Sequence, residues 1–92
     1  MTVHNLKLNK EFADAVLSGE KNFEIRENDR GFQKGDHIVF RVINPKDLYS
    51  STYEDHPLND KEFEIGYVIN GWGLKNGYVA FSIREVSNAL PY

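Results

Sequence analysis

A chain of 92 residues with 40% apolar and 13% aromatic content is long enough for one domain and too apolar for a disordered segment. A core of this size buries roughly 60–65% of the surface that the unfolded chain exposes. The net charge of −3 argues against gripping nucleic acid mainly through phosphates, although it leaves a pocket for one base open. The absence of cysteine excludes disulfides and thiolate metal sites.

The first segment, "VHNLKL", places Val3, His4, Leu6 and Leu8 on a mostly even face and reads as a strand. "NKEFADAVLSG" follows as the one convincing helix. Asn9 suits the N-cap, Glu11 lies in the first turn, and Gly19 suits a left-handed C-terminal stop. Its buried stripe is expected to hold Phe12, Ala15 and Val16, with Ala13 and Leu17 beside them.

From Asn22 the period shortens to two. "NFEIR" reads as a strand whose buried face carries Phe23 and Ile25. "ENDRGFQKGD" is rich in turn formers, and "HIVFRVI", apolar on nearly both faces, suits the inside of a sheet. Residues 44–60 form a long acidic connection with room for a short helical turn. In "KEFEIGYVIN", Phe63, Ile65, Tyr67 and Ile69 alternate with polar positions, and Gly66 predicts a bulge or tight bend. "GWGLKNG" is a hairpin turn, "YVAFSIREV" a last strand and "SNALPY" a tail. This order predicts an α+β, mainly β domain: a small, mostly antiparallel barrel of five to six strands with one main helix packed against it.

No metal site is expected from His4, His37 and His56, which lie far apart without ligand spacing. The glycines of "GWGLKNG" resemble a phosphate loop only loosely, since no helix follows them. Lys21 shares the parity of Phe23 and Ile25. It either sits at the mouth of the barrel or extends from the helix–strand turn into water. Glu24 and Arg26 have the opposite parity, which by itself describes a solvated strand face. Arg30 adds charge in the following loop. Trp72, the only tryptophan, either stacks on a base or caps the barrel end.

"GEKNFEIR" resembles the G-x-K-x-x-E-x-R signature of the ASCH (activating signal cointegrator homology) domain. "FQKGDHIVFR" resembles the F-x-x-G-D stretch that follows it in that family, and "HNLKLNKEFADAVLSG" the strand and helix before it. "YVINGWGLKNGYVAFSI" is similar to the closing hairpin of a short bacterial and phage branch of unassigned function. The resemblance covers residues 1–92 apart from the acidic connection. It implies a single PUA-like β-barrel domain with a cleft beside the helix and a role in RNA binding or RNA-linked regulation. The pocket lysine maps onto Lys21, the motif acid onto Glu24, the arginine onto Arg26, and the glycine–aspartate pair onto Gly35 and Asp36, where Asp36 shapes the turn.

Some small members of that family remove an acetyl group from modified cytidine with a threonine nucleophile three residues after the lysine. This chain has Glu24 there, a poorer nucleophile for amide cleavage, so catalysis by Lys21 and Glu24 is the second reading. The first is a non-catalytic module that binds RNA, a nucleoside or a nucleotide through Lys21, Glu24 and Arg26, with help from Arg30 and Trp72. The third is a phage or host protein-interaction domain acting through the acidic 44–60 connection. No cofactor and no metal are expected. "MTVHNLKLNKEF" holds no long apolar run, so a cytoplasmic monomer without a membrane span is expected.

Overall fold

A computed structural model describes residues 1–46 and 54–86. The strands are β1 (Val3–Asn9), β2 (Phe23–Glu27), β3 (His37–Ile43), β4 (Glu62–Asn70) and β5 (Tyr78–Glu85), with one helix, α1 (Lys10–Ser18). They form one five-stranded sheet in the order β1-β3-β4-β5-β2. β1 runs parallel to β3, and the other three pairings are antiparallel. The sheet is thus mostly antiparallel, as expected, with one parallel pair that makes it mixed. The chain leaves β1 through α1 and β2 before returning as β3, and a crossover of that length permits a parallel pair. β1 and β2 are the two edges and share no ladder, so the sheet does not close by strand pairing.

The helix begins and stops where its caps dictate. The Asn9 side chain accepts the Glu11 N–H at 3.1 Å, satisfying one of the orphan donors of the first turn. At the other end Gly19 adopts φ +86° and donates to the Val16 carbonyl. The Lys21 N–H then donates to the Ala15 carbonyl at 2.9 Å. Lys21 is therefore held by the end of α1 rather than by the strand that follows.

Ala13 and Val16 are the buried residues of α1, with Leu17 packed against the core. Phe12, expected inside, is about half exposed. The core is supplied by alternate residues of four strands: Leu6 and Leu8, Ile38, Phe40 and Val42, Phe63 and Ile65, and Val79, Phe81 and Ile83. β3 lies between β1 and β4, as its two apolar faces predict. The acidic connection includes a 3-10 turn, Pro57–Asp60, that sends Leu58 into the core, while residues 47–53 and the tail 87–92 lie outside the described residues.

β4 contains the predicted bulge. Its register against β5 shifts between Ile65 and Val68. A side chain at Gly66 would meet the Ser82 hydroxyl at 2.3 Å, and that hydroxyl accepts the Tyr67 N–H. The extra residue reverses the alternation beyond it. Val68 packs against the core and Tyr67 turns out to solvent, contrary to the single face expected for Phe63, Ile65, Tyr67 and Ile69.

No helix among the described residues is long and apolar enough to cross a membrane.

Candidate functional site

β2 inverts the pattern of the other four strands. Its inward position carries Glu24, only 3% exposed, while Phe23 and Ile25 are 45% and 53% exposed. The expectation that Phe23 and Ile25 face the core is thus overturned. The register gives the reason. Glu24 lies opposite Phe81 and Arg26 opposite Val79, both core residues of β5, whereas Ile25 lies opposite Ala80 on the outer face.

A buried carboxylate needs charge-assisted partners, and Glu24 has two. The Lys21 ammonium donates to one oxygen, and Arg26 Nε donates to the other at 2.8 Å. Lys21 also donates to the Phe23 carbonyl at 2.8 Å, and its ammonium sits 5.0 Å from the Phe23 ring centre and 5.7 Å from that of Phe12. Arg26 Nη2 reaches across to the Lys7 carbonyl of β1 at 2.9 Å. One guanidinium thereby joins the two sheet edges where no backbone ladder does.

The parity conflict between Lys21 and Glu24 disappears because Lys21 precedes the strand. Its backbone is pinned to α1, so its side chain approaches Glu24 from the helix side.

These groups line a cleft of about 430 Å3 between the two sheet edges and the start of α1. Phe12, Phe23 and Tyr78 supply aromatic surface, and Asn9 and Glu27 supply polar groups. Both Glu24 oxygens are engaged, so the residue works as a clamp that aims two cations. Of the three ammonium and five guanidinium N–H donors, Lys21 uses two and Arg26 uses two on the protein contacts above. The cleft therefore offers cationic hydrogen-bond donors between aromatic walls.

Arg30 is exposed on the loop after β2 and is not among the residues lining this cleft. Trp72 also lies outside it, 91% exposed on the turn between β4 and β5. Phe12 and Tyr78 are cleft residues that sequence reasoning missed: helical spacing assigned Phe12 to the core, and no local signal marks Tyr78.

Asp36 is the second buried carboxylate, and its surroundings differ. It accepts His4 Nε2 at 2.9 Å, the Thr2 N–H at 3.2 Å and the Gln33 N–H at 3.1 Å, and the His4 ring packs on Phe32. Burial alone would raise the Asp36 pKa. The hydrogen bonds from His4, Thr2 and Gln33, with the charge of His4, outweigh it and hold the carboxyl below its ordinary range. Asp36 thus ties the start of β1 to the turn entering β3. Among the described residues, no three His, Asp or Glu side chains gather in a way that could hold a metal ion.

The fold and the cleft define a small, mainly β domain that buries a cation-clamped carboxylate at an open sheet seam. The chain belongs to a family described as a domain of unknown function, DUF3850, which matches residues 3–83. A stretch of 37 residues is also 38% identical to an uncharacterized 12.9 kDa protein in the GpA 3′ region of Escherichia phage P2. That stretch is 40% of this chain and spans about a third (34%) of the phage protein.

Proposed function

We propose that the domain is a non-catalytic module that recognises an unpaired nucleobase, within RNA or as a nucleotide, in the cleft between β1, β2 and α1. The carrying observation is the Glu24 clamp. A buried carboxylate aims the Lys21 ammonium and the Arg26 guanidinium into a cleft flanked by Phe12, Phe23 and Tyr78. Fixed cationic donors suit the carbonyl and ring-nitrogen acceptors of a base edge, and aromatic surface suits its flat faces.

The resemblance to ASCH domains supports the same reading, with the curled sheet taken as a PUA-like barrel whose β1–β2 seam is left to the ligand. The acidic net charge agrees with recognition of a base rather than a long phosphate backbone. Engagement of both Glu24 oxygens favours holding a ligand over attacking one, which places the amidohydrolase reading second.

Titration calorimetry with ribonucleotides and short single-stranded RNAs tests this reading. Binding by the native protein that falls at least ten-fold in Lys21→Ala is expected. Equal binding by both proteins, or binding by neither, overturns it.

A further inference from the structure

A second cavity, of about 580 Å3, lies between the end of β2 and the turn joining β4 to β5. Tyr78 lines both this cavity and the cleft. Either volume alone falls within the usual range for a small-molecule site, about 300–1,000 Å3. Side by side around one aromatic ring, they offer more room than one nucleotide needs.

The chemistry of the second cavity suits the neighbouring unit of a strand. Asn28, Asn70 and Asn76 line it, and an amide can both donate and accept against a base edge. The Asn28 oxygen already accepts the Phe32 N–H at 2.9 Å, which leaves its NH2 for a ligand. Lys75 is the one charged residue of the lining, and its ammonium lies 5.6 Å from the ring centre of Tyr78, the residue common to both cavities. A phosphate linking two bases held in the two cavities would pass near that ring. Glu27, exposed on the cleft side of it, is the acidic exception.

The turn is held in shape before any ligand arrives. Leu74 N–H donates to the Gly71 carbonyl at 3.0 Å, Tyr78 N–H to Lys75 at 3.0 Å, and Asn28 N–H to Gly77 at 2.8 Å. Within this fixed turn Trp72 adopts φ +51°, the only positive φ among the described residues other than glycine. A bulky residue there is strained, and exposure denies it the compensation of burial. Its neighbour Gly71 lines the second cavity, and Trp72 follows it on the same turn, exposed to solvent.

We infer that the ligand is a single-stranded oligonucleotide of at least two linked nucleotides, one base in the Lys21–Arg26 cleft and the next in the cavity of Asn70, Lys75 and Asn76, with Trp72 as its stacking platform. This rests on the base-binding reading of the cleft and extends it.

Trp72 is the only tryptophan, so its emission reports directly on the turn between β4 and β5. Ribonucleoside monophosphates and single-stranded RNA trinucleotides are titrated into the native protein and into Lys21→Ala, Trp72→Ala, Trp72→Phe and Lys75→Ala, with circular dichroism confirming the fold of each. The trinucleotide is expected to bind the native protein about ten-fold or more tighter than the mononucleotide and to quench the tryptophan, which the mononucleotide leaves unchanged. Trp72→Ala and Lys75→Ala should weaken the trinucleotide alone, Trp72→Phe should retain most of its affinity, and Lys21→Ala should weaken both ligands. If the mononucleotide binds in a Lys21-dependent way but the trinucleotide binds no tighter and leaves emission unchanged, the extension falls and the cleft reading survives. If neither ligand binds, or trinucleotide binding ignores Lys21, both fall together.

Discussion

Glu24 and Asp36 are both buried carboxylates, yet their partners differ in kind. Asp36 is held by an interior histidine and two backbone N–H groups at the corner where β1 meets the turn into β3. Glu24 is held by two long, partly exposed cations at the open seam between β1 and β2. Backbone donors cannot turn away, so Asp36 serves the fold. Lysine and arginine side chains keep donors to spare and a route to water, so under the proposed function Glu24 serves a site that can exchange one partner for another. Burial of a charge does not by itself mark function; what matters is whether its partners also face an opening.

The contrast breaks most readily at Asp36. Asp36→Ala leaves His4 and two backbone donors without their acceptor and is expected to cost about 1–3 kcal/mol in urea unfolding. Native Asp36 titrates below its ordinary value near 3.8. A carboxyl with a lowered folded pKa contributes stability that is complete above the unfolded value and is lost as pH falls through the folded one. Stability should therefore decline with acid below about pH 4, and Asp36→Asn should flatten that limb.

At the seam the expected effect moves from stability to binding. Glu24→Gln frees Lys21 and Arg26 to reach water, so unfolding should change by less than about 1.5 kcal/mol while ribonucleotide affinity drops about ten-fold. If Glu24→Gln destabilised the protein as much as Asp36→Ala without touching affinity, the two carboxylates would have the same role.

The outer face should be more tolerant. Phe23→Ser with Ile25→Thr removes exposed apolar surface, and thermal melts should shift by the equivalent of about 0.5 kcal/mol or less for each substitution. A loss of several kcal/mol would mean that the face is covered. The smallest effect is expected at the turn. Trp72→Gly relieves the positive φ and should leave stability unchanged or raise it by up to about 1 kcal/mol, while oligonucleotide affinity weakens as in Trp72→Ala.

Much of this architecture was legible in the residues. Asn9, Glu11 and Gly19 bounded the helix, the alternation of Leu6 and Leu8 marked β1, and Gly66 announced the bulge. The site was less legible, because hydrophobic alternation is a statement about averages. In "FEIRE" it assigned Phe23 and Ile25 to the interior, and the structure places Glu24 there. The signature around Lys21 named residues that the structure brings together, but periodicity alone described Glu24 and Arg26 as a solvated face. Tyr78 and Phe12 gave no warning of their place in the cleft, because residues more than 50 positions apart meet there only after the sheet has curled.

The local elements follow from neighbouring residues, since caps, turns and periods act within a few positions. The sequence also limited the chemistry, with no thiol and a slight excess of acid. Only the tertiary structure decided which face of β2 is buried. That choice depends on the register with β5, which sets Glu24 beside Phe81, and on α1, which brings Lys21 to neutralise the charge. A lone carboxylate would have been expelled from that position; two cations arriving from different elements allow it to stay.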